Sequence, residues 1–223
     1  MRKPIIAMDG YSSTGKSSIS KIIAEKLGLI HLDTGALYRG ITYYALQNFS
    51  QDYGSINLPL LFENLPSAHL EFRQHKNQLV LYLNNVDISQ EIRKQNVSEN
   101  VSLIAKQREV RDFLLSTQRN IASKGGVIMD GRDIGTVVLP NADYKFFLTA
   151  SIEERTKRRY NELLCMGIDV SEESVKENLI ARDKIDSERE IAPLRQADDA
   201  ILIDNTDLTK DQTVEKIISY IQS

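Results

Sequence analysis

The feature that most constrains this chain is an eight-residue run with the pattern G-x-x-x-x-G-K-S, from Gly10 to Ser17. In this pattern a loop bounded by glycines turns its backbone N–H groups toward a pyrophosphate, and the lysine reaches the outer phosphates. The hydroxyl after the lysine suits Mg²⁺, so we predict Ser17 as a Mg²⁺ ligand. The alternative is an ordinary glycine-rich turn with a surface lysine. The residues predicted to bind phosphate are Gly10, Tyr11, Ser12, Ser13, Thr14, Gly15, Lys16, Ser17 and Ser18.

The residues on either side of this loop predict the order strand, loop, helix. Ile5-Ile6-Ala7-Met8 is a short apolar run typical of a buried parallel strand. After the loop, apolar residues recur at helical spacing as far as Gly28, a residue suited to end a helix. Bound phosphates would therefore lie at a helix N-terminus, where free N–H groups and the helix dipole favour negative charge.

The composition indicates one compact domain without a general attraction for polyanions. The chain has 223 residues, of which 41% are hydrophobic and 26% charged, and its formal net charge is −3. We therefore expect binding neither to nucleic acid nor to a membrane, and any anion must be held by local clusters of arginine and lysine. Cys165 is the single cysteine, which excludes an intrachain disulfide. The lack of a long apolar segment predicts a cytoplasmic protein.

Five short apolar runs separated by helical patterns predict a three-layer α/β fold, with a five-stranded parallel sheet flanked by helices. One long helix is predicted from Val97 to about Ala122. The character of the sequence changes near 52–54, and alternating residues around a turn at 75–78 predict an antiparallel hairpin. We interpret residues 55–96 as an insertion in a core made of 1–54 and 97–223. The alternative is an edge hairpin of the main sheet.

A second motif, Leu32 to Arg39, follows the predicted second strand. In a parallel sheet it would emerge at the same carboxyl edge as the glycine-bounded loop. Helix N-terminal donors, the Thr34 hydroxyl and the Arg39 guanidinium would together suit a second phosphate. The alternative is a helix N-cap followed by a solvated arginine.

A third motif, Asp130 to Thr136, places two carboxylates and an arginine within four residues at the end of a predicted buried strand. Such charges are costly to bury without ligands or partners. Asp130 is suited to hold Mg²⁺ through water. The alternative is a strand-end turn held by an internal pair of arginine and aspartate.

Arginines also cluster near the C-terminal third of the chain. Arg155, Arg158 and Arg159 share one face of a predicted helix, and Arg182 and Arg189 follow. Such a face is most often a solvated surface with ion pairs. Beside a nucleotide it would serve as a mobile cationic lid, because arginine neutralises the transferred phosphoryl group without risk of deprotonation.

The sequence offers no evident set of residues for nucleophilic catalysis. A kinase for hydroxyl groups needs a base, whereas a phosphate monoester has a second pKa of about 6 and is already ionised. A site of lysine, arginine, aspartate and Mg²⁺ therefore fits a phosphate acceptor, although Asp33 or Asp130 could also act as a base.

Together the glycine-bounded loop, residues 32–39, residues 130–138 and Ala192-Pro193-Leu194 resemble the bacterial cytidylate kinases over nearly the whole chain. The resemblance implies phosphorylation of CMP and dCMP with MgATP as donor, in a P-loop kinase core. It also implies a monophosphate-binding subdomain matching the predicted insertion, and a short helical lid at about 152–170. We expect a monomer whose partners are small nucleotides.

The resemblance also implies roles for individual residues. Asp133 would face cytosine and accept from its N4 amine, whereas uracil presents another acceptor at that position. Arg39 and Arg132 would hold the acceptor phosphate. The residues implied to bind CMP are Thr34, Tyr38, Arg39, Ser102, Arg111, Asp130, Arg132, Asp133, Arg182 and Asp186. Those implied to act on the transferred group are Lys16, Arg132, Arg189, Arg155 and Arg159.

The loop departs from the family pattern, which usually has proline after the first glycine and small residues next. Here Tyr11 is bulky and Thr14 is β-branched, so the fit of the loop to the donor is the open point. Two rival functions remain: a P-loop kinase for another small metabolite, and a nucleotide-binding regulator whose hydrolysis switches a partner surface.

Overall fold

The computed structural model describes residues 2–51, 55–75 and 78–222, apart from the side chains of residues 74, 75 and 78. The predicted change of character at 52–54 and the middle of the predicted turn, 76–77, lie outside the described residues. The chain forms two compact units. The first combines the residues up to His31 with those from Lys124 onward, and the second runs from Leu32 to Ser123.

A five-stranded parallel sheet, which belongs to the first unit except for Leu32 and Asp33, confirms the predicted fold class. Its strand order is β2-β6-β1-β7-β8. The strands are β1 (Ile5–Gly10), β2 (Ile30–Asp33), β6 (Val127–Asp130), β7 (Tyr144–Thr149) and β8 (Ile201–Asp204). The helices of this unit are α1 (Lys16–Leu27), α6 (Ile152–Cys165), α7 (Glu172–Glu188) and α8 (Lys210–Gln222).

Apolar residues of the strands and of α1 and α8 form the core of this unit. Ile6, Met8 and Phe146 from the sheet pack with Ile19 of α1 and Ile217 of α8, and all are almost fully buried. Local capping explains where helices begin. Ser151 accepts a hydrogen bond from the Glu154 N–H at the start of α6, and Thr209 and Gln212 cap α8 reciprocally. None of the helices in the described ranges is both long and apolar enough to cross a membrane.

The second unit has its own core and its own small sheet. Strands β3 (Leu70–His75), β4 (Gln78–Leu83) and β5 (Val86–Asp87) form a separate three-stranded antiparallel sheet, so the predicted hairpin is not an edge of the main sheet. The helices of this unit are α2 (Thr34–Asn48), α3 (Leu58–Asn64), α4 (Gln95–Ala105) and α5 (Arg108–Ala122). The boundaries 55–96 of the predicted insertion stay a prediction.

The predicted single helix from Val97 to about Ala122 is wrong, because α4 and α5 are separate helices. The backbone of Gln107 is extended, with φ −77° and ψ 129°. Its side-chain amide donates to the Leu103 carbonyl of α4, while its own carbonyl accepts from the Arg111 N–H of α5. A continuous apolar pattern hid this break, because both helices bury the same kind of face.

Candidate active site

The loop from Gly10 to Ser17 is a backbone structure that depends on glycine at its start. Gly10 has φ 145°, and an added Cβ would lie 2.0 Å from the Leu148 carbonyl oxygen. Ser13 and Gly15 also have positive φ, at 61° and 87°. These conformations are rare for residues with a side chain. The loop therefore has the tightly turned backbone that phosphate binding requires.

Tyr11 and Thr14, the two departures from the family pattern, are accommodated by their surroundings. The Tyr11 ring packs edge-on against Phe147, with 5.8 Å between ring centroids. The Arg155 guanidinium carbon lies 5.2 Å from the Tyr11 ring centroid. Thr14 is fully buried, and its hydroxyl donates to the Tyr11 carbonyl at 3.0 Å. Contacts with Phe147, with Arg155 and with the backbone of the loop thus hold these larger side chains in place.

Lys16 lies at the start of α1 and is only 6% exposed. Its ammonium donates to the Tyr11 carbonyl oxygen at 2.5 Å. Burial, followed by the positive charge of Arg132, holds the pKa of the Lys16 ammonium well below its usual range. A phosphate beside this cation would offset both effects.

Asp130, at the end of β6, is held by two side chains. The Ser17 hydroxyl donates to its Oδ2, and His31 Nε2 lies 2.9 Å from its Oδ1. No group of three or more His, Cys, Asp or Glu suited to a metal occurs among the residues that the structure describes. One hydroxyl and one carboxylate are few ligands for a metal. They suit Mg²⁺, because Mg²⁺ bound with a nucleotide keeps several waters and takes further oxygen ligands from the phosphates. His31 was not among the predicted site residues, although a histidine within an apolar strand is a usable signal.

Asp9, which the sequence analysis missed, fastens the third motif to β1. Its carboxylate accepts the backbone N–H groups of Ile134 and Gly135, each at 2.7 Å. Residues 134–138 form one wide helical turn, in which the N–H of Val138 bonds to the carbonyl of Asp133. Burial raises the pKa of the Asp9 carboxyl to about 7. Asp9 could have been predicted from the sequence, because it lies near the end of an apolar strand, as Asp130 does.

Arg132 and Arg189 are each paired with a predicted acceptor-binding carboxylate. Arg132 Nε donates to Asp186 Oδ2 at 2.9 Å. Arg189 Nη2 lies 3.4 Å from Asp133 Oδ1, and both of these side chains are almost fully buried. Arg182 lies one helical turn before Asp186 on α7 and is half-buried. The structure therefore pairs Asp186 of α7, and Arg189 directly after this helix, with the third motif.

The segment Ala192-Pro193-Leu194 orients the Arg189 side chain. Arg189 Nε donates to the Ala192 carbonyl at 2.7 Å, and the Leu194 N–H donates to the Asp186 carbonyl at 2.7 Å. Ala192 has φ 50°, a strained conformation for a residue with a side chain. This tight turn folds back over the end of α7 and fixes the guanidinium.

The three arginines of α6 have different surroundings. Arg155 is buried and pairs with Asp183, and it also lies 3.3 Å from the Ser12 carbonyl oxygen. Arg158 contacts Glu154 and the loop after β8. Arg159 is near the surface and pairs with Glu162 on its own helix. Their predicted place around a transferred phosphoryl group stays a prediction.

The remaining predicted acceptor residues lie in the second unit. Arg39 pairs with Asp33, the N-cap of α2, at 2.7 Å. The Arg111 guanidinium carbon lies 5.4 Å from the Tyr38 ring centroid, and its Nη1 donates to the Ala105 carbonyl at 3.0 Å. Thr34 and Ser102 are buried. Within this unit Arg39 lies with Asp33 at the start of α2, and the contact between Arg111 and Tyr38 joins α5 to α2.

Comparison with known proteins adds a family to this geometry. A family model described as "Cytidylate kinase" matches residues 6–223. A cytidylate kinase of Bacillus cereus (strain ATCC 10987 / NRS 248) is 45% identical over 216 residues, which cover 97% of this chain and 95% of that protein. A cytidylate kinase of Bacillus thuringiensis (strain Al Hakam) has the same identity and coverage.

Solved structures of low identity share the fold alone. An uncharacterized protein from Eubacterium ventriosum has a TM-score of 0.54 and 13% identity, with 99% of each chain covered. A sugar kinase from Janibacter sp. HTCC2649 has a TM-score of 0.50 and 13% identity, covering 99% of this chain and 95% of its own.

Proposed function

This chain belongs to the cytidylate kinase family, and we propose that it transfers the γ-phosphoryl group of MgATP to CMP or dCMP. The products are ADP and CDP or dCDP. Transfer is direct and in line, with no covalent enzyme intermediate.

A convergence of positive charge supports this reaction most directly. Lys16 is buried, and the charge of half-buried Arg132 lowers the pKa of its ammonium, whereas the charges of Asp130, Asp9 and Asp186 raise it. A buried cation is costly unless anions lie beside it, and a bound anion would add to the charge of these carboxylates. A phosphoryl group moving from donor to acceptor is such an anion, and its charge in the transition state would be stabilised by both cations.

On the donor side we assign the phosphates to the loop from Gly10 to Ser18. Lys16 contacts the outer phosphates, and Ser17 and Asp130 are the groups that would hold Mg²⁺, the latter through water. Bound Mg²⁺ neutralises charge on the phosphates. The hydrogen bond between Ser17 and Asp130 keeps both oxygens together for this purpose.

For the acceptor, Arg132 binds the phosphate of CMP and Asp133 accepts from the N4 amine of cytosine. Asp186 and Arg182 approach the ribose, while Arg189 and the α6 arginines Arg155 and Arg159 contribute to the transferred group. In the second unit, Arg39 and Thr34 are assigned to the acceptor phosphate, Ser102 and Arg111 to the base, and Tyr38 to CMP binding. No side chain needs to remove a proton, because the acceptor oxygen is already ionised near neutral pH.

Finer features belong to the same proposal. Residues 152–170 would act as a short lid and 55–96 as the monophosphate-binding insertion. The protein would act as a monomer in the cytoplasm, the compartment of its nucleotide substrates.

A panel of acceptors tests the reaction. ADP formation from MgATP is measured with CMP, dCMP, UMP, AMP, GMP and shikimate as separate acceptors, beside a control without acceptor. We expect fast turnover with CMP and dCMP and at least tenfold less with the others. Activity confined to another acceptor, or hydrolysis that ignores the acceptor, would overturn the assignment.

A further inference from the structure

We propose that Asn205 and Arg158 form a clamp on the Thr14 carbonyl that positions the phosphate-binding loop for the donor. All three residues belong to the first unit. Asn205 and Arg158 lie far from the loop in sequence and are neither phosphate nor CMP ligands in the function proposed above. The clamp deepens that function, because it concerns how the donor ATP is bound.

Both ends of the Asn205 side-chain amide make a hydrogen bond. Its residue is 2% exposed. The amide nitrogen donates to the Thr14 carbonyl at 2.9 Å, and the amide oxygen accepts from Arg158 Nη1 at 3.1 Å. Because one partner is an acceptor and the other a donor, only one orientation of the amide satisfies both.

Arg158 closes the clamp from α6. Its Nη1 lies 3.4 Å from the same Thr14 carbonyl oxygen, and its Nη2 donates to the backbone carbonyl of Asn205 at 2.8 Å. Glu154, one turn earlier on α6, accepts from its Nε at 2.9 Å. The guanidinium is therefore held by a side chain of its own helix as well as by its contacts with Thr14 and Asn205.

The turn that carries Asn205 is itself fixed. The Asn205 N–H donates to the Thr149 carbonyl at the end of β7. On the next residue, the Thr206 hydroxyl donates to Asp204 Oδ1 at 2.7 Å and lowers the pKa of that carboxyl. The same hydroxyl accepts from the N–H of Ser151, the N-cap of α6. Hydrogen bonds thus join the ends of β7 and β8 to the start of α6.

The clamp on the Thr14 carbonyl also determines the direction of the next backbone N–H, that of Gly15. The carbonyl of Thr14 and the N–H of Gly15 belong to one planar peptide unit and point in opposite directions. If the clamp turns the Thr14 carbonyl toward Asn205 and Arg158, the Gly15 N–H must face the other side, where loops of this kind hold phosphate. Asn205 and Arg158 are therefore positioning residues for a backbone donor.

The test uses two variants that keep the size of the side chain. Asn205→Asp keeps an oxygen for Arg158 but removes the donor to Thr14 and sets a carboxylate against its carbonyl. Arg158→Lys keeps the charge but cannot make the forked contacts. The control is Lys157→Ala, which removes a cation from an exposed neighbouring position of α6. Binding of MgATP is measured by calorimetry without acceptor, and the KM values for ATP and CMP are measured separately.

We expect both variants to weaken MgATP binding by about tenfold and to leave the KM for CMP within about twofold of the parent value, with the control unchanged. A merely structural role would raise both KM values together. The clamp is refuted if either variant, shown to be folded by circular dichroism, binds MgATP as the parent does, or if the two KM values rise together. Because MgATP binding needs no acceptor, failure of the CMP reaction in the parent protein would be recognised separately.

Discussion

Two regions of the first unit, the loop from Gly10 to Ser17 and the pair Arg132 and Arg189, hold charge in different ways. In the loop, backbone groups are fixed by positive φ angles at Gly10, Ser13 and Gly15 and by contacts from outside. In the second region, Arg132 is held by the carboxylate of Asp186 and Arg189 by that of Asp133. A backbone cradle can receive phosphate without exchanging partners, whereas an arginine paired with a carboxylate must share or change its partner. We infer that the donor loop is preorganised and that acceptor binding rearranges ion pairs.

Lys16→Ala should give the largest effect and would remove the charge at the junction of the two regions. We expect kcat to fall by about a thousandfold, because the cation acts on charge that develops during transfer. The fold should persist, since the lost side chain is a desolvated cation. Steady-state kinetics and circular dichroism check this, with Lys26→Ala, at an exposed position of the same helix, as control. Surviving turnover would show that the loop is not the donor site.

Gly10→Ala should distort the fixed backbone of the loop from Gly10 to Ser17. The added Cβ would lie 2.0 Å from the Leu148 carbonyl oxygen, so the loop or β7 must shift, at a cost of about 3 kcal/mol in the free energy of unfolding. The matched control is Gly167→Ala, where φ is 74° and nothing lies within 4 Å of the added atom. Its expected cost is about 1 kcal/mol. Equal losses in chemical denaturation would contradict the fixed-loop interpretation.

Asp133→Ala tests the second region, in which arginines are held by carboxylates. We expect kcat/KM for CMP to fall by about thirtyfold, because the variant loses an acceptor for cytosine and a partner of the buried Arg189. The KM for ATP should change by less than about threefold. Steady-state kinetics with each substrate varied in turn provides the measurement, with Asp211→Ala on α8 as control. Equal losses for both substrates would remove the base-reading role of Asp133.

Asp9→Asn should give the smallest of these effects, a change in how the free energy of unfolding depends on pH. Burial raises the folded-state pKa of Asp9 from 3.8 to about 7. Between these values the folded state binds more protons at this site than the unfolded state, so the contribution of Asp9 to stability falls as pH rises. Relative to the variant, the parent should lose about 1 kcal/mol of unfolding free energy per pH unit between pH 5 and 6.

Urea denaturation of both proteins at pH 5 and pH 6 measures this difference, and subtraction removes groups common to both. A constant difference, or one that moves in the opposite direction, would show that the folded-state pKa of Asp9 is not raised.

Local patterns in the sequence were enough for the sheet, the loop and the helix caps. The capping residues Ser151 and Thr209 lie beside the groups they bond, so their role is visible over four residues. Contacts between distant segments were not visible. Asn205 reaches Thr14 over 191 residues of chain, and Asp9 reaches Gly135 over 126.

The arginines show the same limit in another form. Helical spacing placed Arg155, Arg158 and Arg159 on one face, but spacing carries no information on burial. The structure buries Arg155 against Asp183, places Arg158 on the loop and leaves Arg159 near the surface. The break at Gln107 was missed for a related reason, because it depends on hydrogen bonds at two helix ends rather than on apolar spacing.

A crystal structure of the complex with CMP and a non-hydrolysable ATP analogue tests the central contrast most directly. We predict that the backbone of Gly10 to Ser17 moves by less than about 1 Å and keeps the bond from Asn205 to Thr14. In the same complex, Arg132 should contact the CMP phosphate and Asp133 the cytosine amine, with their present ion pairs lengthened or shared. A loop that moves by several ångströms while both ion pairs persist unchanged would contradict the account.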